Sequence, residues 1–428
     1  MSMRAIVATA ALFLLSAGTV PAEDGFQQWK NRKGQIMTAR FIELQGDSVI
    51  FEMENGQRVP YPAADLDLDS QSRVREMEKA AKLARLPAIL RTRCGAPARQ
   101  AALAAGGAPA EIEGAVVKGL NWLKTRQDKN AGSLGEEFPV GMTGFALLAW
   151  LGHCETPESP EFGDNVANGA LYLMEMAQKK DGVMWNGENG THKCYEHGIA
   201  TYALAELHLM TKDSGRSIPQ LDAVLTRAVK IILDGQTGMG GWAYGYADND
   251  DSSDMSLTGW QMQALRAAYL DGIETEKIAR AMEKGLRYLE KIQDDKGAFK
   301  YRPKDPAGKS TLTGAAVYNL LKWGAKDTPA HQKGIAYLAD IYRNPAPGNN
   351  LYAPYYNTLA FFADGDAGWE TYSRAFIPKL LAAQNADGSF LSATSGFPGK
   401  DTPIMNTTLA LLCLETYYRY PREADNGR

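Results

Sequence analysis

The sequence predicts a mainly helical protein made by stacking one helix-pair unit on copies of itself, with a short β-rich segment in front. Three observations carry this. A phrase of Gln, a Gly-containing turn and an aromatic recurs as Gln178–Gly182–Trp185, Gln236–Gly240–Trp242, Gln293–Gly297–Phe299 and Gln384–Gly388–Phe390, with a degenerate copy at Gln127, Gly132 and Gly135. The copies lie about 50 to 60 residues apart, except for one gap of about 90 that leaves room for a worn repeat, and a fixed period of this kind marks one supersecondary unit repeated. Each phrase is flanked by segments with apolar residues at every third or fourth position, the stripe of a half-buried helix. Residues 26–71, by contrast, read as short strands parted by turn residues.

From the start of the chain, Arg4, the mostly apolar stretch from Ala5 to Leu15, and Val20 to Ala22 before Glu23 have the plan of a secretory signal. Residues 1–22 are therefore expected to be a signal peptide, and the mature protein to be exported, periplasmic or extracellular. The apolar stretch is too short to span a bilayer, and no other segment approaches twenty apolar residues, so no transmembrane segment is expected after cleavage. In residues 23–71, Ile36 to Ile42, Ser48 to Met53 and Arg58 to Tyr61 read as strands, and Asn55-Gly56 is a hairpin signal because both residues tolerate positive φ. Residues 72–86 are charged and helical. Residues 87–110 are rich in Ala, Pro and Gly and read as a linker, so that 72–110 form a tether.

The repeats fill residues 111–421, ahead of a polar tail at 422–428. In each unit a helix runs into the Gln, as in 117–127 and 281–293, and the Gly turn stops it. The second helix follows after a loop: 142–151, 197–207, 257–265, 312–321 and 406–414, with the worn repeat supplying 334–342 and 356–362. The second helix is apolar nearly all round and is expected to be the inner one, while the first keeps a solvated face. Six pairs fit.

The recurring phrases, together with Gly240 to Tyr244 and Thr258 to Leu265, resemble those of the prenyltransferase and squalene-cyclase repeat superfamily. That resemblance implies a single α/α toroid of about six helix pairs closed into a ring, which also removes the need for polar capping repeats. Trp29, Gly34, Phe41, Phe51, Gly56, Val59 and Asp69 lie in a pattern that resembles the SLA1 homology domain 1 (SHD1), a small SH3-like β-barrel. That likeness implies a peptide-recognition module; the plainer reading is a docking or spacer module, and either makes a protein partner available through it.

Each reaction of the toroid's relatives can be asked of residues here. Cyclases protonate an alkene with the middle acid of an Asp-x-Asp-Asp-Thr motif. Asp248 to Asp251 look similar but lie too early; the register of the following Ala264 and Leu265 puts Asp254 first in the motif and Ser256 at the proton donor's post. In prenyltransferases, Asp, Cys and His hold zinc; the corresponding positions are Asp254, Ser256 and Asn406, so two ligands are replaced and no metal or cofactor is expected. A thioester-type Cys-Gly-Glu-Gln is matched only by Cys194 to His197, without the Gln.

Glu196 and His197 remain an acid–base candidate pair beside Asp254, in competition with plain capping or packing roles for His197 and Asp254. Trp242, Tyr244, Ser256, Trp260, Tyr355, Tyr356 and Asn406 are the candidate ligand-binding residues. Aromatic walls suit a small molecule, a glycan or a peptide alike. Cys154 and Cys194 are available for a bridge between repeats, or are buried thiols. A net charge of −4 speaks against a nucleic-acid partner. The loss of each tested motif favours a ring that binds a ligand or partner; the alternative is an enzyme of altered chemistry using Glu196, His197 and Asp254.

Overall fold

The computed structural model describes residues 25–85, 87–186, 192–212, 218–246, 252–391 and 399–420. The expected signal peptide, the Asp248 to Asp251 run and the tail at 422–428 lie outside the described residues. The chain divides into two compact units, with the boundary between Arg91 and Thr92.

In the N-terminal unit, β1 (Gln27–Lys30), β2 (Ile36–Gln45), β3 (Ser48–Met53) and β4 (Arg58–Pro62) form an antiparallel sheet in chain order. Gly46 and Gly56, at positive φ, make the tight turns anticipated between strands. The reading of the sequence missed β1 as a strand. Trp29 anchors β1: its indole Nε1 donates to Ala39 O at 2.9 Å, and its ring packs on Phe51. A bridge from Asn31 to Leu66 ties the chain beyond β4 back to the end of β1. Helix α1 (Leu68–Arg85) lays Val74 into the same core, and the single turn α2 (Ala88–Arg91) ends the unit.

Residues 87–110, expected as a linker, carry α2 and also α3 (Ala96–Ala105), and the latter packs on the last helix of the second unit. The reason is local. Alanine is the strongest helix former, and Pro97 falls in the first turn, where its missing N–H would have no partner anyway.

Among the described residues, the second unit contains six helix pairs. The outer helices are α4 (Ile112–Arg126), α6 (Gly163–Lys179), α8 (Leu221–Asp234), α10 (Thr275–Ile292), α12 (Pro329–Ile341) and α14 (Asp366–Ala382). The inner helices are α5 (Pro139–Gly152), α7 (Lys193–Thr211), α9 (Met255–Asp271), α11 (Ser310–Lys322), α13 (Tyr352–Asp364) and α15 (Thr402–Arg419). Each inner helix packs on the next, and α15 packs on α5, so the ring is closed. Each outer helix lies behind the inner helix that precedes it, and α4 lies behind α15. The α/α toroid is thus a property of the chain's own contacts.

The recurring phrase is the fastener of this ring. Gln127, Gln236, Gln293 and Gln384 each donate Nε2 to a carbonyl of their own Gly turn and to one in the first two turns of the next outer helix: Asn165, Ala281, Ala330 and, across the seam, Ala115. The backbone N–H six or seven residues after each Gln is bonded to an inner-helix side chain. Thr143, Thr258, Thr313 and Thr407 accept from Leu134, Trp242, Phe299 and Phe390. In the second repeat His197 takes this role, accepting from Met184 N at 3.1 Å. The residue whose N–H is bonded there is the buried Met184, not Trp185, the aromatic of its phrase.

Candidate functional site

The inner helices α5, α7, α9, α13 and α15 present their N-terminal ends to one mouth of the ring, and a cavity of about 280 Å3 opens there. Its apolar wall is Met142 and Phe145 of α5, Ile199 of α7, Trp260 of α9 and Met405 of α15. Phe138, Tyr195 and Tyr352 add aromatic rings, and Glu196, Ser256, His192 and Asn350 the polar positions. Trp260 backs the wall, edge-on to Phe145 and stacked on Tyr355 at 5.7 Å.

Glu196 is 4% exposed. Its carboxyl accepts from Gly141 N in the first turn of α5 and from Asn186 N. Burial pushes its pKa up to about 7, against the lowering effect of those N–H groups, and the nearby Asp401 charge pushes the same way. On the α9 side a chain of hydroxyls leads out of the cavity. The Tyr195 hydroxyl lies 2.5 Å from Ser256 Oγ, which donates to Asp254 Oδ1 at 2.5 Å. Asp254 is also the N-cap of α9, accepting from Ser256 N and Leu257 N. Burial raises the Asp254 pKa, and burial together with the Asp254 charge holds Tyr195 well above the usual phenol value.

The sequence-nominated residues separate clearly. Glu196, Ser256 and Trp260 line the cavity, and Asp254 reaches it through Ser256. His197 does not share this cavity: Nδ1 accepts from Met184 N and Nε2 donates to Ala228 O at 3.0 Å, and burial lowers its pKa to about 4. The Glu196–His197 acid–base pair is therefore replaced by Glu196 alone. Asn406 is a positioning residue, whose Oδ1 accepts from Leu351 N and whose Nδ2 donates to Asn349 O, holding the segment that bears Asn350 and Tyr352. Trp242 is buried against α8, donating Nε1 to Ile232 O. Tyr355 and Tyr356 pack around Trp260 and share Gln263 through their hydroxyls. Tyr244 lies behind the wall, its ring against Tyr195 and its hydroxyl on that of Tyr301. Phe138, Phe145 and Tyr195 escaped the sequence reading because they fall at helix starts outside the repeated phrase.

The opposite end of the ring is filled. Glu206 of α7 sits between two guanidiniums, Arg93 Nη1 and Arg419 Nη2, each 2.5 Å from a carboxylate oxygen. Thr92 Oγ1 donates to Tyr418 O, and a Cys94–Cys154 disulfide ties the segment before α3 to the end of α5. Of the two readings open for Cys154 and Cys194, the bridge between them does not form: Cys154 pairs with Cys94, and Cys194 is a buried thiol bonded to Ala243 O.

Among the described residues no group of three His, Cys, Asp or Glu could hold a metal, and no helix is long and apolar enough to cross a membrane. No family model matches the chain, and no curated protein matches it. Among solved structures, the chain is similar to a type II terpene cyclase, MstE from Scytonema, in complex with geranylgeranyl dihydroxybenzoate, at 14% identity and a TM-score of 0.48, over 72% of this chain and 97% of that one. It is also similar to the GH76 α-mannanase BT2949 of Bacteroides thetaiotaomicron, at 12% identity and a TM-score of 0.49, over 72% and 95%.

Proposed function

We propose that this chain is an exported ring protein that holds a small, largely apolar ligand in the cavity at the N-terminal mouth of its inner helices. A single observation carries the reading: apolar and aromatic side chains from five helix starts converge there on one polar corner formed by Glu196, Tyr195 and Ser256. A concave, mostly apolar pocket with a few convergent polar groups is the usual form of a ligand site. Standard cyclase chemistry is disfavoured because a hydroxyl, Ser256, stands where an acid would be needed. The prenyltransferase zinc positions hold Ser256 and Asn406, neither a thiolate nor an imidazole. The Cys94–Cys154 disulfide supports an oxidising, exported setting. The N-terminal sheet unit, read as an SHD1-like SH3-type barrel, is proposed to serve as the docking module for a protein partner.

One observation favours the enzymatic alternative: a carboxyl that titrates near pH 7 inside a cavity is suited to acid–base work. The experiment that separates the two extracts the mature protein for co-purifying small molecules, then incubates it with squalene, isoprenyl diphosphates and a glycan panel, read by mass spectrometry. A retained ligand without product is the expected result. Turnover that vanishes in Glu196→Gln, with folding intact, would replace the binding reading by the enzymatic one.

A further inference from the structure

We propose that the cavity is a site for a small organic cation, an amine or quaternary ammonium group, which meets the Glu196 carboxyl among the rings of Phe138, Phe145, Tyr195, Trp260 and Tyr352. The inference rests on the ligand-binding reading above and names the chemical class of the ligand.

Three observations carry it. The buried Glu196 carboxyl has backbone N–H partners, but no lysine or arginine lines the cavity among the described residues. Two further acids stand near it: Asp401 acts on Glu196, and Asp254 lies behind Ser256. A buried carboxylate without a cation is costly, and a ligand cation supplies what the protein omits. Next, five aromatic side chains wall the same cavity, and aromatic faces attract cations electrostatically, most strongly when desolvated. Finally, helix starts ordinarily favour anions, but at α5 and α9 the protein's own carboxylates take up N–H groups at or just before the helix start. Asp401 accepts from Glu136, Glu137 and Phe138 N; Asp254 accepts from Ser256 and Leu257 N; Glu196 accepts from Gly141 N. At those two helices the dipole that would draw an anion already meets a negative charge. The volume of about 280 Å3 fits a compact head group.

The groups facing Glu196 set the pH response. They are Tyr172 of α6, Asp401 before α15, Tyr195 and His192 at the start of α7, and Asp254 through Ser256 of α9. Tyr172 and Tyr195 stay neutral, since their pKa values are raised, and burial holds His192 below its ordinary value. Glu196, pushed up to about 7, titrates near neutrality, and cation binding favours its ionised form.

The test is calorimetry on the full mature chain with two isosteric pairs: choline against 3,3-dimethylbutan-1-ol, and benzylamine against benzyl alcohol. The cation of at least one pair is expected to bind roughly tenfold tighter than its neutral partner at pH 8, with the preference shrinking toward pH 6. Glu196→Gln should erase the preference of the cation over its neutral partner. Equal or tighter binding of both neutral partners overturns the cation proposal and leaves the ligand reading standing. If all four compounds fail to bind at millimolar concentration, both are overturned. The wild-type comparison decides the matter even if Glu196→Gln does not fold.

Discussion

His197 shows how much one position can mislead. Its slot before Gly198 is the Thr slot of the other repeats, and that equivalence was visible in the sequence; its burial and two fixed ring nitrogens were not. An imidazole beside a glutamate reads as acid–base chemistry until the fold shows that adjacent helix residues point different ways. Replacing it tests the fastening role. His197→Ala leaves the buried Met184 N–H without a partner and should destabilise the protein by about 2 kcal/mol or more. His197→Thr restores the fastener used elsewhere in the ring and should cost less; chemical denaturation ranks the two. The pH dependence has a definite sign. The folded pKa, about 4, lies below the ordinary histidine value of 6.5, so the unfolded chain takes up the proton first. The His197 contribution is complete above pH 6.5 and is lost as pH falls toward 4, on the order of 3 kcal/mol in all. The difference between wild type and His197→Thr should therefore narrow over that window. A constant difference would mean that His197 is not held neutral.

At the scale of elements, helix pairs and their order were legible because two periodicities coincide: apolar residues at helical spacing, and the Gln phrase once per unit. β1 and α3 were not. β1 is only four residues and is fixed by the Trp29 bond to Ala39, a long-range contact without a local pattern. In α3, helix-forming alanines are accompanied by Pro97 and flanked by Gly95 and Gly106, a composition that mimics a linker. The seam between α4 and the last repeat gives the sharpest element-level test. Gly388 has φ +102°, and an added Cβ would lie 2.4 Å from Lys118 O of α4. Gly272 has φ +90° and would meet nothing within 4 Å. Alanine at Gly272 should cost about 1–2 kcal/mol from the left-handed backbone alone. Alanine at Gly388 adds a collision with a backbone carbonyl and should cost clearly more, with hydrogen exchange accelerated in α4. Equal costs would show that the seam is loose. Gln384→Ala, which loses the bonds to Ala115 and Gly388 carbonyls, should shift α4 in the same direction by about 1–3 kcal/mol.

For the whole molecule, the ring has one open end and one filled end, and the sequence indicated neither. An open mouth depends on which helix starts converge, and the filling depends on Arg93 and Cys94, residues from a segment that composition assigns to a tether. Glu206 between Arg93 and Arg419 is buried, and removing one guanidinium would leave a charge compensated by half. The disulfide spans a sequence separation of 60 residues, and closing such a loop restricts the unfolded chain by about 4 kcal/mol. These facts place the functional boundary of the ring at Thr92 rather than at residue 111. A chain beginning at Thr92 should therefore unfold at the same denaturant concentration as the ring within the full-length protein. A chain beginning at Gly107 loses the Arg93–Glu206 pair, the Thr92–Tyr418 bond and the disulfide together, and should fall by at least about 4 kcal/mol. Since the six helix pairs are complete in both chains, equal stability would mean that the segment before α4 only decorates the ring. A loss confined to the shorter chain would mean that the toroid needs the segment from Thr92 to Gly106 to close its far end.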